Sequence, residues 1–260
     1  MTPPDTFTGQ RPIALVTGAA RRVGRAIATE LASRGCDLVI HANTSLDEAR
    51  DTLQACLARG GAGAHAAIWA SDLSESHALP AAAETLARTL PRLDVLVHNA
   101  SVYAPSPLAD VTPERALGDF AVNALAPLLL SKAFAPLLRS SPLGSGGAIV
   151  ALADIHVLGR PRRDFVTYAM AKAALVQMVE CLARDLAPTV RVNAVAPGVV
   201  AWPEQGYESD PSMQEAYLRR VPLARPGTPA DTAKAVAFLA LDAAYTTGTV
   251  LRLDGGRWLT

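Results

Sequence analysis

From residue 13 onward the chain alternates short, nearly unbroken apolar runs with longer stretches of helical period. The runs fall at 13–16, 38–41, 66–70, 95–98, 148–152, 190–194 and 250–253, and the helical stretches at 23–34, 46–59, 78–89, 113–138, 165–186 and 230–241. A strand with one wet face alternates apolar and polar residues; these runs do not, which fits strands covered on both sides. Strand-then-helix units repeated in this way imply a parallel, doubly wound sheet, because each crossover must return the chain to the same end of the sheet. The expected fold is therefore a single-domain α/β Rossmann-type sheet of about seven strands, with helices on both faces. It spans 12–260 after a flexible N-terminal segment, 1–11. No linker divides it: 144–147 reads as a Ser/Gly-rich turn and 202–212 as a Pro/Gly/acid-rich loop. That loop follows the carboxyl end of a strand, where open α/β sheets hold ligands, so it is a candidate lid, with a plain surface loop as the alternative.

Composition narrows the function classes. Half the residues are hydrophobic, and Lys+Arg and Asp+Glu are 24 each, for a formal net charge of +0. Nucleic acids and anionic membranes select clustered positive charge, so neither is an expected partner. The tight basic groups, Arg21-Arg22 and Arg160 to Arg163, are too short for a binding stripe. Three well-separated cysteines, no CxxC pair, no signal-peptide pattern and no unbroken apolar run of ~20 residues lead to the expectation of a reduced, cytoplasmic protein.

The first apolar run leads into Thr17-Gly18-Ala19-Ala20-Arg21-Arg22-Val23-Gly24 and then a helix. A glycine turn between strand and helix lets the backbone approach a pyrophosphate that the helix N-terminus attracts, although an ordinary βα turn looks the same and the central position is Arg22. After the second run come His41, Ala42, Asn43, Thr44 and Ser45, with no acid before Asp47. An acid there would bind a ribose 2′-hydroxyl and repel a 2′-phosphate. Its absence, with Arg21 and Arg22 nearby, favours NADPH/NADP+ over NADH. Asp72 and Leu73 follow the third run, placed to border an adenine ring, or for Asp72 to cap a helix.

Tyr168 and Lys172 stand four residues apart in a helical stretch and so share a face. A neighbouring ammonium is expected to lower the tyrosine pKa, and the lysine can also bond a ribose. Alone, such a pair is common on surfaces. Together, TGAARRVG, His98-Asn99-Ala100-Ser101, Asn123, Tyr168-x3-Lys172, Pro197-Gly198 and Asp254-Gly255-Gly256 occur in the order and spacing of the short-chain dehydrogenase/reductase family, over roughly residues 12–260. The chain resembles that family. The resemblance implies Asn123, Tyr168 and Lys172 as catalytic positions, a nucleotide site that includes Asn99, Ala100, Ser101, Pro197 and Gly198, and a homotetramer.

The family's fourth catalytic position is usually a serine; here it is Asp154, in Ala153-Asp154-Ile155-His156. A carboxyl group suits a ring whose nitrogens must be bonded and protonated as hydride adds next to them, and desolvation would make it a usable acid. A turn or cap aspartate is the alternative. Within the family the pattern resembles bacterial pteridine reductases, which implies that Arg22 reaches the pterin, Ser101 makes a polar contact and Tyr103 stacks on the ring. The departures are Tyr103 in place of phenylalanine and Asn43 in place of an arginine. The expected activity is NADPH-dependent reduction of a dihydropterin or dihydrofolate to the tetrahydro form. The alternatives are a carbonyl reductase acting on a 3-oxoacyl thioester or ketone, and a non-catalytic NADP(H)-binding sensor. Ser106, Pro107, Trp202 and Trp258 are further candidate borders of the cleft, though packing accounts for each.

Overall fold

The structure is a computed structural model that describes residues 7–203 and 207–260. Residues 1–6 of the expected flexible segment and 204–206 of the expected loop lie outside the described residues. Seven strands, β1 (Ile13–Val16), β2 (Asp37–Ala42), β3 (Ala66–Ala70), β4 (Val95–His98), β5 (Gly147–Leu152), β6 (Val190–Pro197) and β7 (Val250–Leu253), form one sheet. Their order is β3-β2-β1-β4-β5-β6-β7, and every neighbouring pair is parallel. The helices are α1 (Arg22–Ser33), α2 (Leu46–Gly60), α3 (Leu79–Thr89), α4 (Pro113–Phe120), α5 (Ala126–Arg139), α6 (Val166–Asp185), α7 (Pro211–Leu218) and α8 (Pro229–Ala237).

The unbroken apolar runs are explained by the two cores they feed. Ile13, Leu15, Leu96, Ile149 and Ala151 face Leu86 of α3, Leu130 and Phe134 of α5, and Leu175 and Val179 of α6. Ala14, Val16, Val95, Val97 and Val150 face Ile27 and Leu31 of α1, Ala49 of α2 and Val236 of α8. Because successive strand residues point to opposite faces, both parities must be apolar.

Two differences from the sequence expectation have local causes. The single helix expected over 113–138 is continuous but widens into a π-helical turn at Ala121–Leu125, between α4 and α5, and this turn carries Asn123. Helix α7 starts in the last two residues of the segment read as a Pro/Gly/acid-rich loop, 202–212, and runs on through residues to which the sequence assigned no element. Its proline occupies the first helical turn and Asp210 caps it by accepting from Ser212 N at 2.7 Å, so the residues that resemble a breaker are a helix start. The spans Pro113–Arg139 and Val166–Asp185 are long and apolar enough to cross a membrane by length and composition. Both rest on the sheet through the core residues just named. Polar residues punctuate them, so counting unbroken apolar runs passes them over.

At the amino-terminal edge of the sheet, buried Asp94 ties three segments together. Its carboxylate accepts from Ile13 N at 2.8 Å, from Arg92 through two bonds of 2.7 and 2.6 Å, and from Ser141 Oγ just past α5. Asp94→Ala leaves the Arg92 guanidinium and the Ile13 amide without their acceptor. It is expected to cost about 3–5 kcal/mol in urea unfolding, with Asp94→Asn recovering part of the loss.

Candidate active site

The strand order reverses between β1 and β4, so their carboxyl ends part and open a crevice. Thr17 bridges the two sides. Its amide donates to Val97 O at 3.0 Å, and its hydroxyl oxygen accepts from the amides of Asn99 (2.9 Å) and Ala100 (3.0 Å). The Asn99 side chain returns to the turn and donates to Thr17 O and Gly18 O. The crossing is close enough to demand glycine. A Cβ on Gly18, whose φ is +61°, would stand 2.9 Å from Ala100 Cα, and one on Gly24 would overlap Gly18 O and stand 2.6 Å from Asn99 Nδ2. Arg22, at the position where a third glycine is common, itself adopts a φ of +52°. That left-handed conformation costs a non-glycine residue about 1–2 kcal/mol. The Arg22 side chain spans the crevice and donates to Trp202 O at 2.8 Å and Ala201 O at 3.4 Å.

The crevice is a cleft of ≈ 670 Å³. Gly18, Arg21, Arg22 and Val23 form one wall; His41, Asn43, Thr44 and Ser45 another; Asp72 and Leu73 the next; Asn99, Ala100 and Ser101 face them. All thirteen are residues the sequence assigns to a nucleotide. Two of the thirteen, His41 and Asp72, have further structural roles, and Pro197 and Gly198 lie elsewhere. His41 lines the cleft, but its Nδ1 accepts from Gly18 N at 3.0 Å and its Nε2 lies 3.0 Å from Ser71 O, so it is the neutral ring that props the glycine turn. Burial pushes its pKa down to about 4. Asp72 caps no helix: it accepts from the amide and hydroxyl of Ser74, and Asn43 bonds to it as well. Pro197 and Gly198 border a second cavity instead, ≈ 120 Å³, which Asp154, Tyr103, His156, Arg162 and Glu208 also line.

The groups present suit a dinucleotide. The positive-φ turn at Gly18 brings bare backbone to the cleft, the start of α1 adds its unpartnered amides, and Arg21 and Arg22 add charge. No acid stands among residues 42–45 at the end of β2.

Tyr168 and Lys172 lie on the buried face of α6, as their spacing predicts. The Tyr168 hydroxyl donates to Asp154 Oδ2 at 3.0 Å. The other carboxylate oxygen of Asp154 accepts from His156 N at 2.7 Å and caps the 3-10 turn Ile155–Leu158. The side chain thus caps a turn, as one of its two readings had it, and at the same time reaches the Tyr168 hydroxyl. The expected lowering of the tyrosine pKa is corrected. Burial first, and then the charge and hydrogen bond of Asp154, raise the phenol well above its ordinary value. Lys172 does not offset this, because its Nζ donates to Leu152 O at 2.7 Å and stands 5.9 Å from the centre of the Tyr168 ring. Burial in turn pushes the lysine down to about 8, although Asp154 opposes the shift. Asn123, wholly buried in the π-helical turn, accepts from Ser101 Oγ at 2.7 Å and donates to Val102 O at 3.0 Å, which anchors the loop after β4.

The structure adds residues the sequence reading missed. The Tyr103 ring stacks on Phe165 with centroids 4.7 Å apart, and its edge meets Tyr168 at 5.0 Å. Its hydroxyl donates to Glu208 Oε2 at 2.8 Å, and Glu208 also pairs with Arg162. Glu208 falls inside an acid-rich segment that carries no motif, so only the fold brings it here. Ser106 is buried packing, accepting from Thr167 N. Trp202 packs edge-on against Tyr217, and Trp258 sits under Arg252.

A family profile described as enoyl-(acyl carrier protein) reductase matches residues 18–257. The chain is 34% identical over 254 residues to the 3-oxoacyl-[acyl-carrier-protein] reductase FabG of Haemophilus influenzae, covering 96% of this chain and 100% of that one. It is 33% identical over 291 residues to pteridine reductase 1 of Leishmania tarentolae, covering 98% and 99%. A solved structure described as a short-chain alcohol dehydrogenase from Sinorhizobium meliloti 1021 superposes with a TM-score of 0.87 at 29% identity, covering 96% and 97% of the two chains.

Gly24→Ala is expected to cost about 1–3 kcal/mol in thermal unfolding, by forcing the turn away from Asn99, and to weaken nucleotide binding in fluorescence titration. His41 yields a pH test. Its pKa falls on folding from 6.5 to about 4, so the unfolded chain binds the extra proton between those values. Stability is therefore complete above pH 6.5 and declines as pH falls towards 4, by up to roughly 3 kcal/mol from this residue. Urea unfolding at a series of pH values should show a shallower decline for His41→Asn.

Proposed function

We propose that this chain, which belongs to the short-chain dehydrogenase/reductase family of oxidoreductases, uses NADPH to reduce a pterin-type ring. The observation that carries the reading is the 3.0 Å bond from the Tyr168 hydroxyl to Asp154, at a position where the family usually has serine. A serine presents one hydroxyl to a carbonyl oxygen. A carboxyl group paired with a phenol presents two groups that exchange protons with adjacent ring nitrogens. The Leishmania relative supports the same substrate class by its name. Identity alone does not decide, since the 3-oxoacyl reductase is equally similar.

The reduced nicotinamide supplies the hydride when the cleft is filled. The rest of the reading concerns this chain's own groups. Arg21 and Arg22 neutralise phosphate charge beside the glycine turn, and the absence of an acid at 42–45 admits a 2′-phosphate. Tyr168, whose phenol stays protonated at neutral pH, is the proton donor to the ring nitrogen beside the reduced carbon. Asp154 Oδ2 accepts the tyrosine hydrogen bond and orients it, and the carboxyl group is the second site that relays a proton to the ring. Once the tyrosine has given up its proton, the buried Lys172 is the positive charge that balances the phenolate. Tyr103 forms an aromatic wall with Phe165, and Asn123 holds the loop that carries it.

A second reading, a reductase of 3-oxoacyl thioesters or ketones, draws on Asp154 Oδ1. That oxygen caps the following turn, which is a purely structural use of the residue. In that case Tyr168 alone protonates a carbonyl oxygen. The exposed apolar residues Leu117 of α4, Leu128 of α5 and Met170 of α6 support an oligomer formed through these helices.

Nucleotide oxidation followed across a panel of oxidised and dihydropterins, dihydrofolate, acetoacetyl thioesters and quinones tests the choice. Pterin turnover with NADPH preferred over NADH is expected; thioester turnover without pterin turnover would overturn it. Asp154→Ser should lower pterin kcat by about 100-fold or more, as expected for loss of a general acid-base group. Tyr168→Phe should nearly abolish turnover while leaving NADPH affinity largely intact.

A further inference from the structure

β4 ends on His98, a buried imidazole that the proposed chemistry does not use. Alternation along the strand puts its side chain on the face of Leu96, the face covered by α5 and α6. There its Nε2 lies 2.9 Å from the hydroxyl of buried Ser131 on α5. Its other ring nitrogen, Nδ1, is equally buried and has no hydrogen-bond partner among the described residues. A buried polar atom left without a partner is costly, and in a native fold it calls for a specific explanation.

The neighbouring side chain in that layer is Lys172. It enters from α6 and donates to Leu152 O, the carbonyl one residue beyond Ala151, which is the register partner of His98. An ammonium has three N–H donors, of which that bond uses one. The ionisable groups around it are Asp154 from the turn after β5, Tyr168 from its own helix and His98 from β4; α5 contributes the uncharged Ser131. Burial, and after it the Lys172 charge, push the imidazole down to about 3, so the ring is neutral and the lysine carries the charge. The tautomer in which Nε2–H donates to Ser131 leaves a lone pair on Nδ1, the arrangement a nearby ammonium selects.

We propose that His98 is a positioning residue for Lys172: anchored by Ser131, it holds the Nδ1 lone pair in the lysine's layer, where it accepts from the ammonium through one internal water. This assignment rests on the reading that Lys172 serves Tyr168. It gives the lysine a second support besides Leu152, and it links the helix of Lys172 to the continuous span that carries Asn123 in its π-helical turn. Removing the imidazole would leave the buried ammonium with less support, so the lysine would lose its proton at lower pH.

Two experiments test this, one of which needs no substrate. In the first, the alkaline limb of the kcat profile is measured for wild type, His98→Leu and Ser131→Ala with whichever panel substrate is turned over. The limb is expected to move to lower pH by about half a unit or more in His98→Leu, and by less in Ser131→Ala. A limb that stays in place or moves to higher pH, in a variant with an unchanged melting curve, overturns the proposal. In the second, the His98 Nδ1 resonance of the wild-type protein is followed by nitrogen-15 NMR between about pH 6 and 10. An inflection near the lysine's own titration, absent in Lys172→Met, is expected; a flat resonance overturns the proposal even if His98→Leu does not fold. If no panel substrate turns over, the functional reading fails while the NMR titration still decides the role of His98.

Discussion

The molecule is organised by one close approach, the glycine turn after β1 passing over the start of the loop after β4. Thr17 and Asn99 tie the two backbones through side-chain bonds at each end, and Gly18 and Gly24 are what make the distance possible. Everything chemical in the cleft is referred to that crossing. It sets the origin of α1, it leaves backbone exposed beside two arginines, and it carries Ser101 to Asn123. His41 contributes from behind by accepting the Gly18 amide, so the crossing is supported by three strands rather than two.

The charges at the other end of the site are governed by burial more than by pairing. Lysine and tyrosine sit in a layer from which water is largely excluded, and each is pushed towards its neutral form. Burial first, and then the charge and hydrogen bond of Asp154, keep the tyrosine protonated, so the resting site holds its proton on the phenol. The intuition that a lysine one helical turn away must acidify the tyrosine fails because its ammonium points to a main-chain carbonyl of β5.

Much of this was legible in the sequence because it depends on local period or on a short motif. The seven strands followed from apolar runs that a doubly covered sheet requires, and the glycine turn and the Tyr168–Lys172 helix face followed from spacing. What could not be read depends on contacts between distant segments. Glu208 reaches Tyr103 across more than a hundred residues of chain and has no pattern of its own. The helical identity of Pro211–Leu218 was hidden because proline marks both breaks and starts. The π-helical widening around Asn123 leaves no trace in the hydrophobic repeat, which runs through it undisturbed. That Asp154 caps a turn and also reaches the Tyr168 hydroxyl depends on tertiary contact as well, since sequence could pose a cap and a catalytic group only as rivals.

Arg22 holds two peptide oxygens of the segment after β6 from the far side of the cleft. A guanidinium has five N–H donors, and both of these bonds leave from Nη2, so the hydrogens on Nε and Nη1 stay available to an anion at the head of α1. One side chain can therefore serve both walls of the cleft at once, and anything that pulls it towards one wall is felt at the other.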